Sequence, residues 1–131
     1  MMEHHPIVEK IVNEGVSAVH VESLSKELKR QLLTEAGNIL LHRNKYAEAA
    51  KAYALCENHD LLNDYGRWFL EQRKPGIAAY FLLYIEKEDL LEELAQECVA
   101  SHDIDAAKAV YEKLGDQTMI TFLNENFNAS N

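Results

Sequence analysis

Apolar positions along this chain fall at helical spacing, and the pattern restarts at a fixed interval. Leu32-Leu33 returns as Leu61-Leu62, Leu90-Leu91 and Met119-Ile120, each 29 residues on, and Leu40 returns as Phe69, Cys98 and Phe127. Three further columns keep the same register: Gly37, Gly66 and Ala95; Ala49, Ala78 and Ala107; Tyr53, Leu82 and Tyr111. A recurrence in this range marks helical hairpins stacked on one another. In the middle unit Leu61, Leu62, Tyr65, Gly66 and Phe69 describe one helix running to about Arg73, and Pro75 opens a second that carries Ala78, Leu82 and Ile85. Proline at a first helical position forfeits no hydrogen bond. The Gly/Gly/Ala column lets the two helices of a hairpin approach closely against the alanine column, and the large residues of the third column fill the space beside that contact.

This pattern predicts a single all-α domain over residues 1–131, with hairpins at 30–58, 59–87 and 88–116 and a closing helix at 117–127. That last helix keeps Met119, Ile120, Leu123 and Phe127 inward but places Asn124 in the glycine column and Asn126 in the column of Trp68, as a polar cap requires. In the N-terminal segment, 1–29, Pro6 opens a short helix with Ile7, Val8, Ile11 and Val12 on one side, and Gly15 stops it. Residues 16–22 read equally well as a loop or a short helix.

The hairpin unit resembles the tetratricopeptide repeat. Leu33, Ala36-Gly37, Leu40, Ala49 and Tyr53 stand where that signature places its large, small and aromatic residues. The resemblance covers about residues 30–127 and implies a right-handed α-α superhelix. The unit is shorter than the family's, with the missing residues falling after Cys56, Ile85 and Leu114, so the hairpins are also similar to those of clathrin and coatomer-type solenoids. In the turns, where the family favours glycine, stand Asn44, Arg73 and His102; asparagine tolerates a positive φ better than arginine does.

Charge narrows the partner. Thirteen basic against 22 acidic side chains leave a net charge of -9, which repels a phosphate backbone and argues against nucleic acid. By resemblance, the first helices of the hairpins line a concave groove that includes Thr34, Asn38 and His42, then Asp60, Asn63, Arg67 and Glu71, then Asp89, Glu92 and Gln96. A clamp for a C-terminal carboxylate, which some members of the family carry, is absent here: Asn38 fits it, but Thr34, Asp89 and Glu93 hold its cationic places. The implied partner is a protein or peptide segment of basic or mixed charge.

Other chemistry finds little support. Cys56 and Cys98 occupy apolar columns, share no CxxC spacing and read as small buried hydrophobes of a reduced, cytoplasmic protein. No apolar run is long enough to span a bilayer. The histidines, among them His4-His5, His42, His59 and His102, lie apart in the expected fold, so a metal site or a histidine-dependent enzyme is the weak alternative, and no cofactor is implied. The segment Ile77–Ile85 is apolar all round. Its Tyr80, Leu83 and Tyr84 therefore need a cover, either the N-terminal helix or a second copy of the chain. A small dimeric chaperone using that patch and the N-terminal segment is the alternative among binding proteins.

Overall fold

The computed structural model describes residues 4–127, and these are helical with no strand among them. Contacts gather into two compact units, Met1–Leu62 and Asn63–Asn131, with the division inside one helix. The first three residues of the expected N-terminal segment lie outside the described residues. Among the described residues no helix is long and apolar enough to cross a membrane.

The first unit opens with α1 (Pro6–Glu14), begun by Pro6 and ended at Gly15, whose φ of 98° suits glycine. Val8, Ile11 and Val12 are buried, and α1 packs on α2 (Lys26–His42). Residues 16–22 resolve into two single turns of 3₁₀-helix, Val16–Ala18 and Val21–Ser23, which bury Val16 and Val21. Helix α2 starts ahead of the expected hairpin boundary at residue 30, because the Ser25 hydroxyl accepts from the Leu28 amide at 3.2 Å and caps it earlier. It turns at Asn44 (φ 61°) into α3 (Tyr46–Leu55), and the Lys45 amide closes the turn on the Leu40 carbonyl at 2.9 Å. Gly37 faces the ring of Tyr53: a Cβ there would lie 2.8 Å from Cδ1.

Helix α4 (His59–Glu71) begins in the first unit and continues into the second. After Arg73 (φ 60°) comes α5 (Pro75–Leu82), with Phe81 stacked on Phe69 at 5.7 Å and Gly66 against Leu82. Helix α6 (Glu88–Ala100) turns at His102 (φ 60°) into α7 (Ile104–Leu114), and Gly115 (φ 73°) leads into α8 (Gln117–Asn126). Asp103 and Asp116 cap α7 and α8, accepting from the Ala106 amide at 3.4 Å and the Met119 amide at 3.1 Å. Leu123 of α8 is fully buried, while Met119, Ile120 and Phe127 are half-buried. Helix α5 stops at Leu82, short of the expected Ile85, since the Tyr84 and Ile85 amides tighten onto the Phe81 and Leu82 carbonyls instead of continuing the α ladder.

Candidate functional site

A groove in the second unit runs between the C-terminal half of α4 and the face of α6. Its two floor residues, Leu70 and Leu90, are buried, and its volume is about 380 Å³. On the α4 side stand Arg67, Glu71 and Arg73; on the α6 side stand Glu93 and Glu97, one helical turn apart. Three carboxylates thus face two guanidiniums over an apolar base. Among the described residues no ion pair joins any of them. Arg67 donates a 3.3 Å hydrogen bond from its Nε to Asn63 Oδ1, which also accepts from Lys87 Nζ at 3.3 Å. Arg73 reaches the groove from a left-handed turn residue, a conformation that costs a non-glycine residue on the order of 1 kcal/mol.

The structure separates the expected groove residues into groups. Thr34, Asn38 and His42 share one face of α2, but two of them serve the hairpin: Thr34 Oγ1 accepts from Asn58 Nδ2 at 3.0 Å, and Asn38 Oδ1 accepts from the Tyr53 hydroxyl at 2.6 Å. His42 and Asp60 are exposed. Arg67 and Glu71 line the α4–α6 groove with Asn63 beside it. Glu92 and Gln96 face away from it into a second cavity of about 700 Å³, bounded also by Glu88, Tyr111, Asp116 and Met119. Asp89 is exposed at the start of α6 and lines neither space. Sequence reasoning passed over Arg73, Glu93, Glu97 and Tyr111 as contributors. The two glutamates carried a usable signal, because they follow Leu90 at helical spacing, and polar residues one and two turns beyond an edge leucine flank whatever that leucine floors.

Elsewhere the reactive groups are spent or scattered. Both cysteines are free and buried, and the Cys98 thiol is pushed up to about 12 by burial and by the neighbouring Asp103 and Glu97 carboxylates, which keeps it protonated and poorly nucleophilic. His4 Nδ1 pairs with Glu35 at 2.6 Å, and no three His, Cys, Asp or Glu among the described residues could hold a metal ion. The apolar patch on and after α5 is open in the single chain: Tyr80 is 49% and Tyr84 46% exposed, while Leu83 is half-buried and α1 spends its apolar face within the first unit. Comparison of the chain with protein families, with curated proteins and with solved structures finds no match.

Proposed function

We propose that this protein is a non-enzymatic, cytoplasmic interaction module that holds a peptide segment of basic or mixed charge in the α4–α6 groove. The observation that carries the reading is the set of unpaired charges of both signs over an apolar floor: Glu71, Glu93 and Glu97 opposite Arg67 and Arg73, with Leu70 and Leu90 beneath. Side chains held apart like this lose little hydration until a complementary partner arrives, so they contribute specificity and encounter rate more than raw affinity. The tetratricopeptide-like reading of the whole chain, a right-handed superhelix of three hairpins, is supported by the three left-handed turn residues Asn44, Arg73 and His102 at one interval. Each is followed by an amide that closes on a carbonyl five residues back, at 2.9, 2.9 and 2.8 Å.

Reversing Glu93 and Glu97 together to lysine tests the groove. Binding of labelled peptides rich in Lys, Arg and Leu, followed by fluorescence anisotropy, should fall by about tenfold or more and should weaken with salt in the native chain. Unchanged binding with unchanged helicity removes the groove from the reading. A second reading, self-association as in a small dimeric chaperone, is favoured by the half-exposed Tyr80 and Tyr84. Light scattering that gives twice the chain mass, returned to one by Leu83→Glu, would support it.

A further inference from the structure

At its Arg67 end the α4–α6 groove meets a side-chain link that carries more charge than its structural task requires. Thr34 and Asn58 stand 29 residues before Asn63 and Lys87, and in both pairs the second residue donates to the first. In the first pair two neutral side chains suffice: Asn58, itself buried, donates from Nδ2 to Thr34 Oγ1 at 3.0 Å. In the second, Asn63 Oδ1 accepts from both Lys87 Nζ and Arg67 Nε, each at 3.3 Å. A neutral oxygen orients two cations without cancelling either, and like charges held side by side repel. Among the described residues no carboxylate pairs with Lys87 or Arg67. Glu86 and Glu88, the sequence neighbours of Lys87, line other spaces. Both cations keep N–H groups beyond the one given to Asn63, so an anion set against them gains two oriented donors and relieves the repulsion.

The groove changes sign along its length. Lys87 immediately precedes α6, and Leu90, Glu93 and Glu97 follow it at helical spacing. At about 1.5 Å per residue the leucine lies about 5 Å beyond Lys87, and the two glutamates about 9 and 15 Å beyond it. On α4, Arg67 comes first, then Leu70 and Glu71. Cations at one end, leucines in the middle and carboxylates that outnumber Arg73 at the other select an occupant with the opposite order of charge. An extended chain advances about 3.3 Å per residue and turns every second side chain to one face. Residues two and four places from an acidic one therefore reach about 7 and 13 Å along the groove, over the leucines and then between Glu93 and Glu97. A helix covers the same distance only over about eight residues.

We propose that the α4–α6 groove takes an extended segment presenting an acidic, an apolar and a basic residue at alternate positions: the carboxylate against Lys87 and Arg67, the apolar side chain on Leu70 and Leu90, the base between Glu93 and Glu97. This rests on the peptide-binding reading above and fixes the order and spacing of charge within it.

The probe is an acetylated, amidated peptide, Gly-Ser-Glu-Ser-Leu-Ser-Lys-Ser-Gly, titrated into the intact chain and followed through backbone amide shifts in nuclear magnetic resonance spectra. The shifts should run along α6 from Lys87 to Glu97. Replacing the peptide's glutamate by lysine should weaken binding about fivefold at low salt, and by less as salt is added. A peptide of the same composition, Gly-Ser-Glu-Leu-Lys-Ser-Ser-Ser-Gly, turns its leucine away from both charges and should bind about fivefold more weakly too. Lys87→Gln keeps a donor for Asn63 and removes the charge, so it should cut the glutamate peptide's advantage to about twofold without lowering the urea midpoint, and Lys87→Glu should erase that advantage. Equal binding of the glutamate and lysine peptides, or of the two spacings, overturns the proposal, and so does an advantage that Lys87→Glu leaves intact. If the doubly basic peptide binds best, Glu93→Lys with Glu97→Lys loses it and Lys87→Glu does not weaken it, the charge order is wrong and the groove reading stands. If none of the peptides shifts any resonance, both readings fall together.

Discussion

Replacing a glycine inside a helix by alanine ordinarily stabilises a protein by about 1 kcal/mol, and at Gly37 the structure requires the opposite sign. A Cβ built there would stand 2.8 Å from Cδ1 and 2.9 Å from Cζ of Tyr53, whereas carbon pairs rest at about 3.5–4.0 Å. The ring has nowhere to go. Tyr53 is 0% exposed, and its hydroxyl is tied to Asn38 at 2.6 Å, so rotating away costs that hydrogen bond as well. Overpacking of a filled core costs about 1–3 kcal/mol, and a contact this short against a tethered ring belongs at the upper end. After the helix-propensity gain, Gly37→Ala should be destabilised by about 2 kcal/mol.

Gly66→Ala is the comparison. Its Cβ would meet Leu82 Cγ at 2.5 Å, with Cδ2 closer still, and Leu82 is as fully buried as Tyr53, but no hydrogen bond tethers the leucine, so the net cost should be smaller than at Gly37, about 1 kcal/mol. Urea unfolding followed by far-UV circular dichroism measures both. Tyr53→Leu in the Gly37→Ala background gives the alanine–leucine pairing that Gly66→Ala makes in the second unit, and the double-mutant cycle should return a coupling of about 1 kcal/mol or more. A Gly37→Ala chain as stable as the native one, or strictly additive energies in the cycle, would refute the close crossing of α2 and α3.

Two further outcomes follow from single groups. Arg73→Gly removes a left-handed arginine and should raise stability by up to about 1 kcal/mol while weakening capture of acidic residues within a mixed-charge peptide; a drop in stability would mean the turn is not strained. For Cys98, whose thiol is raised in the folded chain, the unfolded chain releases its proton first. The contribution is therefore complete below the ordinary thiol range and is lost as pH climbs towards 12, at up to about 1.4 kcal/mol per pH unit. Urea midpoints at about pH 8 and about pH 10 should fall more steeply for the native chain than for Cys98→Ala, and parallel slopes would show that the thiol is not held protonated.

What could be read from the chain was steric and local. Pro6, Pro75, Gly15 and the small residues at 37 and 66 act over one or two turns of backbone, so helix starts, stops and close crossings can be located before any tertiary contact is known. The early end of α5 was illegible because Leu83, Tyr84 and Ile85 are all competent helix residues, and nothing in their composition marks the tightening at Leu82. Groove flanks are harder still. Glu92 and Glu93 are neighbours in sequence and identical in chemistry, yet one helical step of about 100° sends the first to the α6–α8 cavity and the second to the α4–α6 groove. Only the crossing angles of the neighbouring helices decide which is which, and those arise from packing rather than from the residue itself.

The same contrast bears on where binding can reside. Thr34 and Asn38 on α2 have their oxygens engaged by Asn58 and Tyr53, so substituting either is answered first by the stability of its own hairpin. On α6 the corresponding row has no such duty: Glu92 and Gln96 border the cavity, Glu93 and Glu97 border the groove, and no ion pair among the described residues occupies any of them. Unpaired charge on a rigid helix is tolerable on a solvated surface, because water already serves it, and it becomes decisive only when a partner displaces that water. A chain that used α2 and α6 equally for binding would leave both rows free. Here the polar row of α2 closes the fold, and that of α6 remains available to a partner.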